Sequence, residues 1–148
     1  MRQSGFTLVE SLIVMILVGI VTSLGIPRFR DTIQKVRVRS ARIAVGTLAA
    51  KARAAAVQRS CRSVLRVTDG PDGQVWVTVC KISGPGLDTL GGVEQIASRF
   101  NVVLACDRDS VQYDPRGLSI DYVTMTVRVT GGDVSDSLMI NQLGKVVR

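Results

Sequence analysis

A run of sixteen uncharged residues, Ser11 to Ile26 (SLIVMILVGIVTSLGI), begins directly after a single carboxylate, Glu10. Adding Phe6 to Val9 gives about twenty residues with one interruption, which is membrane-spanning length for a helix. The remainder of the 148 residues is one domain's worth of chain and leaves no room for a second core. A cleaved secretory signal is the competing reading: Arg2, an apolar core, then Ser23 and Gly25 as small residues near a cut. Three features oppose it. Glu10 lies inside the apolar stretch, the stretch starts almost at the first residue, and a basic helical pattern continues past Pro27. A carboxylate at membrane depth is costly and therefore usually functional.

Charge is confined to one part of the chain. Residues 1–27 sum to zero, residues 28–66 hold eleven basic side chains against Asp31 alone, and residues 67–148 hold seven basic and ten acidic ones. No histidine occurs, which removes His-based acid–base catalysis, His-containing zinc sites and a neutral-pH histidine switch. The sequence offers no catalytic set, no metal ligands and no cofactor site. Gly84-Pro85-Gly86 and Gly91-Gly92 lack the lysine and the strand-to-helix turn of a phosphate loop. Asp107 and Asp109 beside Cys106 have no base among them and read as turn residues.

Ser4-Gly5-Phe6-Thr7-Leu8-Val9-Glu10, the apolar run with Gly19, and Pro27 at its end resemble the start of the type IV pilin and pseudopilin family. The resemblance implies cleavage by a prepilin peptidase between Gly5 and Phe6, and methylation of the new Phe6 amine. It also implies that Glu10 reaches the terminal amine of a neighbouring subunit. The physics is compatible: a buried carboxylate neutralises or finds a partner, and an ammonium at similar depth is one. The expected division is a leader at 1–5, a hydrophobic transmembrane and assembly helix at 6–28, and a periplasmic pilin-like body at 29–148. Arg28, Arg30, Lys35, Arg37 and Arg39 after the apolar run would by the positive-inside rule put the body in the cytoplasm. The resemblance implies the opposite, an inner-membrane protein with its body in the periplasm and later in a filament, and the more specific motif is preferred.

Phe29 to Arg59 contains no proline and is rich in Ala, Val and Arg, so the helix is expected to continue to about residue 60, kinked near Pro27. At 100° per residue Ile33, Val36, Ser40, Ile43, Thr47, Ala50 and Ala54 share a side, which is expected to be the buried face. Arg28, Lys35, Arg39, Arg42 and Arg53 fall in an arc of about 60° beside it. This basic stripe is read first as a solvated face, or one facing anionic head groups and neighbouring subunits, and second as a DNA backbone contact.

Beyond Ser60 the grammar is β-rich: Val64–Thr68 and Val75–Ile82 around Asp-Gly-Pro-Asp-Gly form a hairpin, and Asn101–Ala105, Val111–Tyr113, Ile120–Val129 and Ser137–Ile140 are further strands. Gly84 to Ser98 reads as a loop. The expected fold class is α+β, a long N-terminal helix packed on an antiparallel sheet of roughly five to seven strands. Ala52 to Arg59, Val111 to Gly117 and the ending Met-Ile-Asn-Gln-Leu-Gly-Lys-Val-Val-Arg resemble the GspH/FimT type of minor pilin or pseudopilin. That resemblance implies a structural subunit of a type II secretion pseudopilus or a type IV pilus, with other pilins and a prepilin peptidase as partners and no enzyme activity. Some members bind DNA through a C-terminal Gly-Arg-any-Arg motif. Here Gly144 is followed by Lys145, the second arginine position is Val147, and Arg148 stands one place late, on the other face of a strand. DNA is thus a possible but less favoured partner, with Arg39, Arg42, Arg53, Lys145 and Arg148 as its candidate contacts.

Cys61, Cys80 and Cys106 are spaced 19 and 26 apart. In an oxidising compartment one disulfide and one thiol are expected. If residues 70–73 close the hairpin with Asp69 opposite Gln74, Cys61 faces Ile82 and lies diagonal to Cys80, making Cys61–Cys80 the expected pair. Buried thiols are the alternative for all three.

Overall fold

The computed structural model describes residues 7–81 and 84–147, with the side chains of 24–28 set aside. Gly5, Phe6, Ile82 and Arg148 lie outside the described residues, as do the side chains of Pro27 and Arg28. Contacts divide the chain into two units, Met1–Gln34 and Lys35–Arg148. One helix, α1 (Leu8–Gln58), contributes to both.

In the first unit α1 starts with a cap. Thr7 Oγ1 accepts a hydrogen bond from the Glu10 amide at 3.2 Å, using the Thr-x-x-Glu spacing of a capping box. Further along, the Thr22 hydroxyl donates to the Val18 carbonyl at 2.8 Å and needs no outside partner, which suits a polar group in an apolar setting. The large apolar side chains from Leu8 to Val21 are exposed. Among the described residues no helix is long and apolar enough to cross a membrane; the expected span at 6–28 extends past the described side chains at both ends.

In the second unit α1 and two antiparallel sheets share one core. The strands are β1 (Ser63–Val67), β2 (Val75–Cys80), β3 (Leu87–Thr89), β4 (Val103–Cys106), β5 (Ser110–Tyr113), β6 (Met125–Gly131), β7 (Val134–Ile140) and β8 (Val146–Val147), with a short helix α2 (Ile96–Phe100) before β4. One sheet has the order β3-β2-β1-β5 and the other β4-β6-β7-β8. The strands alternate as a half-buried sheet should: Met125, Val127 and Val129 of β6 point inward, and Val75, Val77 and Val79 of β2 are fully buried. The two sheets meet at the first hairpin, where Gly70 bridges Leu104 of β4.

The body is α+β with a long helix on antiparallel sheets, and its details correct several expectations. There are eight strands in two sheets among the described residues, not one sheet of five to seven. Residues 120–124 precede β6 and are not strand, while the segment read as a loop supplies β3 and the start of α2. Elements of three and five residues carry too little periodicity to be read from sequence. The largest correction concerns α1. Its buried residues are Val38, Ala41, Val45, Leu48, Ala49, Ala52, Ala55 and Ala56, whereas Val36, Ile43, Thr47, Ala50 and Ala54 of the expected face are exposed. At 100° per residue the two sets lie on roughly opposite sides. Both are made mainly of Ala and β-branched residues, so periodicity alone does not choose between them. Close approach does: a Cβ on Gly46 would meet Leu138 Cδ1 at 3.1 Å, so β7 sits directly against the helix there. Ser63, fully buried on β1, donates to the Ala52 carbonyl at 2.6 Å and ties the sheet to the same helix face.

Candidate assembly segment and surface

Glu10 lies in the first turn of α1, on an exposed apolar helix. Its amide donates to Thr7 Oγ1 in the helix cap. The Gly5–Phe6 junction on which cleavage and methylation would act is outside the described residues, and its proximity to Glu10 rests on sequence spacing alone.

Among the described basic residues of the second unit the surroundings differ from one to the next. Arg42 is drawn into the body: its Nε lies 3.0 Å from Asp136 Oδ2 on β7, and its side chain is only 13% exposed. Arg39 remains exposed, and exposed Arg53 lies alongside the turn at Gly117, where a Cβ would meet its Nε at 3.1 Å. Arg59 also has a structural task, donating to the Cys80 carbonyl at 2.9 Å. Lys145 is exposed, but its amide donates to Asn141 Oδ1 at 2.8 Å within the turn that joins β7 to β8. Gly144 in that turn has φ +74°, and a Cβ there would stand 2.6 Å from the buried Tyr113 ring. The Gly-Lys ending is therefore a packed turn. At position 147, where the DNA motif has its second arginine, a partly exposed Val stands.

Cys61 and Cys80 form a disulfide with their Cα atoms 6.3 Å apart. The register that led to this pair needs correcting. Val67 is opposite Val75, and Thr68 pairs with Gln74 through N–H to carbonyl (2.9 Å) and through its Oγ1 to the Gln74 amide (2.8 Å). Asp69 leaves the ladder because its carboxylate accepts the Cys106 amide at 2.7 Å, one strand away in the other sheet. Cys61 instead reaches Cys80 from the end of α1. Ser60 adopts a left-handed conformation (φ 48°), its amide bonds the Val57 carbonyl, and the Cys61 amide bonds the Ala56 carbonyl. That is a Schellman closure, which turns the chain sharply at Cys61.

Cys106 is a free thiol. Partial burial, then the hydrogen bond it donates to Asp69, then the charges of Asp69, Asp109 and Asp107, push its pKa up to about 12. It is held as the protonated thiol, a poor nucleophile. Asp107 accepts the Thr126 amide at 2.8 Å, tying the end of β4 to β6, and Asp121 accepts the Gln112 amide of β5 at 3.1 Å, so these carboxylates hold strands in place. Among the described residues no three His, Cys, Asp or Glu side chains gather as metal ligands. Sequence reading did not find the Asp69–Cys106 pair. Thirty-seven residues separate its members, and only the bridge between the sheets brings them together.

With this geometry in view, comparison with known proteins bears on both units. Residues 1–26 match the prokaryotic N-terminal methylation motif. The chain is similar to the type IV minor pilin FimU of Pseudomonas aeruginosa strain PAO1 in two crystal forms. In one form identity is 12% over 76% of this chain and 88% of that one, with a TM-score of 0.60. In the other it is 13% over 74% and 90%, with a TM-score of 0.56. No curated protein sequence matches the chain. At such identity the likeness concerns the fold, which is pilin-like, and it is joined here to the N-terminal motif of type IV pilins.

Proposed function

We propose that this chain is a minor pilin or pseudopilin: a structural subunit held in the inner membrane by its apolar helix and then incorporated into a filament. The observation that carries this reading is the union of two independent features in one chain. The methylation motif covers residues 1–26, and a pilin-like body is packed on the continuation of the same helix. On this reading a prepilin peptidase cuts between Gly5 and Phe6 and the Phe6 amine is methylated. Glu10 then pairs with the terminal amine of a neighbouring subunit at low dielectric, where an unpaired carboxylate would be costly. In the filament, apolar helices such as residues 8–21 would exchange lipid for interhelical packing. The body works in the periplasm, a compartment compatible with the Cys61–Cys80 disulfide. A type IV pilus or a type II secretion pseudopilus would use such a subunit in the same way. DNA capture is the weaker alternative, because Arg42 is engaged by Asp136 and Val147 replaces the second arginine.

Mass spectrometry of the protein extracted from membranes tests the reading. The expected chain begins at Phe6 and carries one added methyl group. A chain beginning at Ile26 would establish a secretory signal in its place.

A further inference from the structure

The face of α1 turned away from the sheets has a spacing of its own. Val36, Ser40, Ile43, Thr47, Ala50, Ala54 and Val57 follow one another at intervals of four and three residues, the seam of a helix that packs on another helix. All seven belong to the second unit; Ser40 is half-buried and the Gly117 turn borders Val57, while Val36, Ile43, Thr47, Ala50 and Ala54 are exposed. Val36 is 57% exposed, Ile43 51% and Val57 49%. The Thr47 hydroxyl donates to the Ile43 carbonyl at 2.9 Å, so it makes no demand on a partner. Small residues indent the seam. A hollow of about 320 Å³ opens beside Gly46, Ala50 and Leu138, and another of about 350 Å³ beside Ala50, Ala54 and Val57. These suit the knobs of a closely approaching helix.

The residues flanking the seam identify the partner further. In the heptad frame Arg37 and Lys51 stand on one flank and Arg39 and Arg53 on the other, and no acidic residue occurs from Lys35 to Arg66. Arg37, Arg39 and Arg53 are exposed, while Lys51 packs beside Gly91. Asp136, which faces the helix from β7, is already engaged by Arg42. Two copies joined along this seam would set cation against cation with no anion between them, and such pairing is disfavoured. A phosphate backbone would satisfy the arginines but leave Val36, Ile43 and Val57 against a polar anion. We propose that this seam docks an α-helix of a different protein, one whose own apolar seam is flanked by Asp and Glu. This extends the assembly reading above by stating the partner's chemistry, and it does not depend on processing at Gly5.

The test uses the full chain in mild detergent and two synthetic helical peptides with the same Val/Ala heptad seam, one with Glu at both flanks and one with Lys. Fluorescence anisotropy should give at least about tenfold tighter binding of the Glu-flanked peptide. Ile43→Asp, at an exposed position, should abolish that binding, and Arg39→Glu with Arg53→Glu, which leaves Arg37 and Lys51 on the other flank, should remove most of the preference. Equal binding of the two peptides would overturn the proposal, as would binding indifferent to Ile43→Asp. Self-association of the chain through the seam, lost in Ile43→Asp on sedimentation, would also overturn it, and so would displacement of the Glu-flanked peptide by duplex DNA at physiological salt.

Discussion

The backbone of Gly144 lies against the ring of Tyr113 so closely that a methyl group added there would come within 2.6 Å of Cε1 and 3.1 Å of Cδ1. Tyr113 is fully buried on β5 in one sheet, and Gly144 belongs to the turn before β8 in the other. This contact locks the C-terminal turn onto the core. Two requirements meet at one residue: a positive φ of 74° and the absence of a side chain. Gly144→Ala is expected to lose about 1–3 kcal/mol through overpacking and backbone strain, read as a lowered Tm in thermal unfolding.

Tyr113 also governs alkaline stability. Burial pushes its pKa up to about 12, with Arg53 pulling it partly back, and its hydroxyl is buried with no hydrogen-bond partner among the described residues. Cys106 is raised to about 12 as well. In the unfolded chain these groups ionise near their ordinary values of 10.0 and 9.0. The unfolded state therefore binds fewer protons above pH 9, and the stability these groups contribute is complete below that pH and lost between about 9 and 12. Denaturant unfolding at stepped pH should show this fall. Tyr113→Phe should flatten its upper part and, by removing an unpartnered hydroxyl, leave neutral-pH stability unchanged or raised by about 1 kcal/mol.

Reduction of Cys61–Cys80 opens a link spanning 19 residues. A loop of that size contributes about 3 kcal/mol by the chain-entropy model, so dithiothreitol should lower the denaturation midpoint by a corresponding amount. Alkylation of denatured, unreduced protein should find one thiol per chain, Cys106. Three thiols in protein taken directly from cells would contradict a disulfide in the native compartment.

For Glu10, the expected variant behaviour separates anchoring from assembly. Glu10→Leu removes a charge from the apolar segment, so membrane insertion should be unchanged or improved. Incorporation into filaments, measured by shearing and immunoblotting, should fall severalfold or more. Normal incorporation would remove the pairing role from this carboxylate.

What could be read without coordinates was local. The methylation segment, the uncharged run after Glu10, a helix expected to about residue 60 and a hairpin around Asp69–Gly73 each follow from residues adjacent in sequence: the Ser4-to-Glu10 motif for the segment, unbroken Ala and Val for the helix, Gly and Pro for the turn. What the sequence left open was each choice between nearly equal local solutions. Val36 and Val38 are both β-branched residues on α1, yet one is exposed and the other buried, because the sheets dock where Gly46 admits Leu138 and where Ser63 meets the Ala52 carbonyl. The hairpin register moved by one residue because Asp69 bonds Cys106, a partner 37 positions away, in preference to the ladder. The pairing of Cys61 with Cys80 was legible, but its route through the left-handed Ser60 was not. Local chemistry determines which elements form, since capping and periodicity act over a turn or two. Which face is buried and which register holds are decided by contacts distant in sequence, whose free energy exists only once the sheets have closed on the helix.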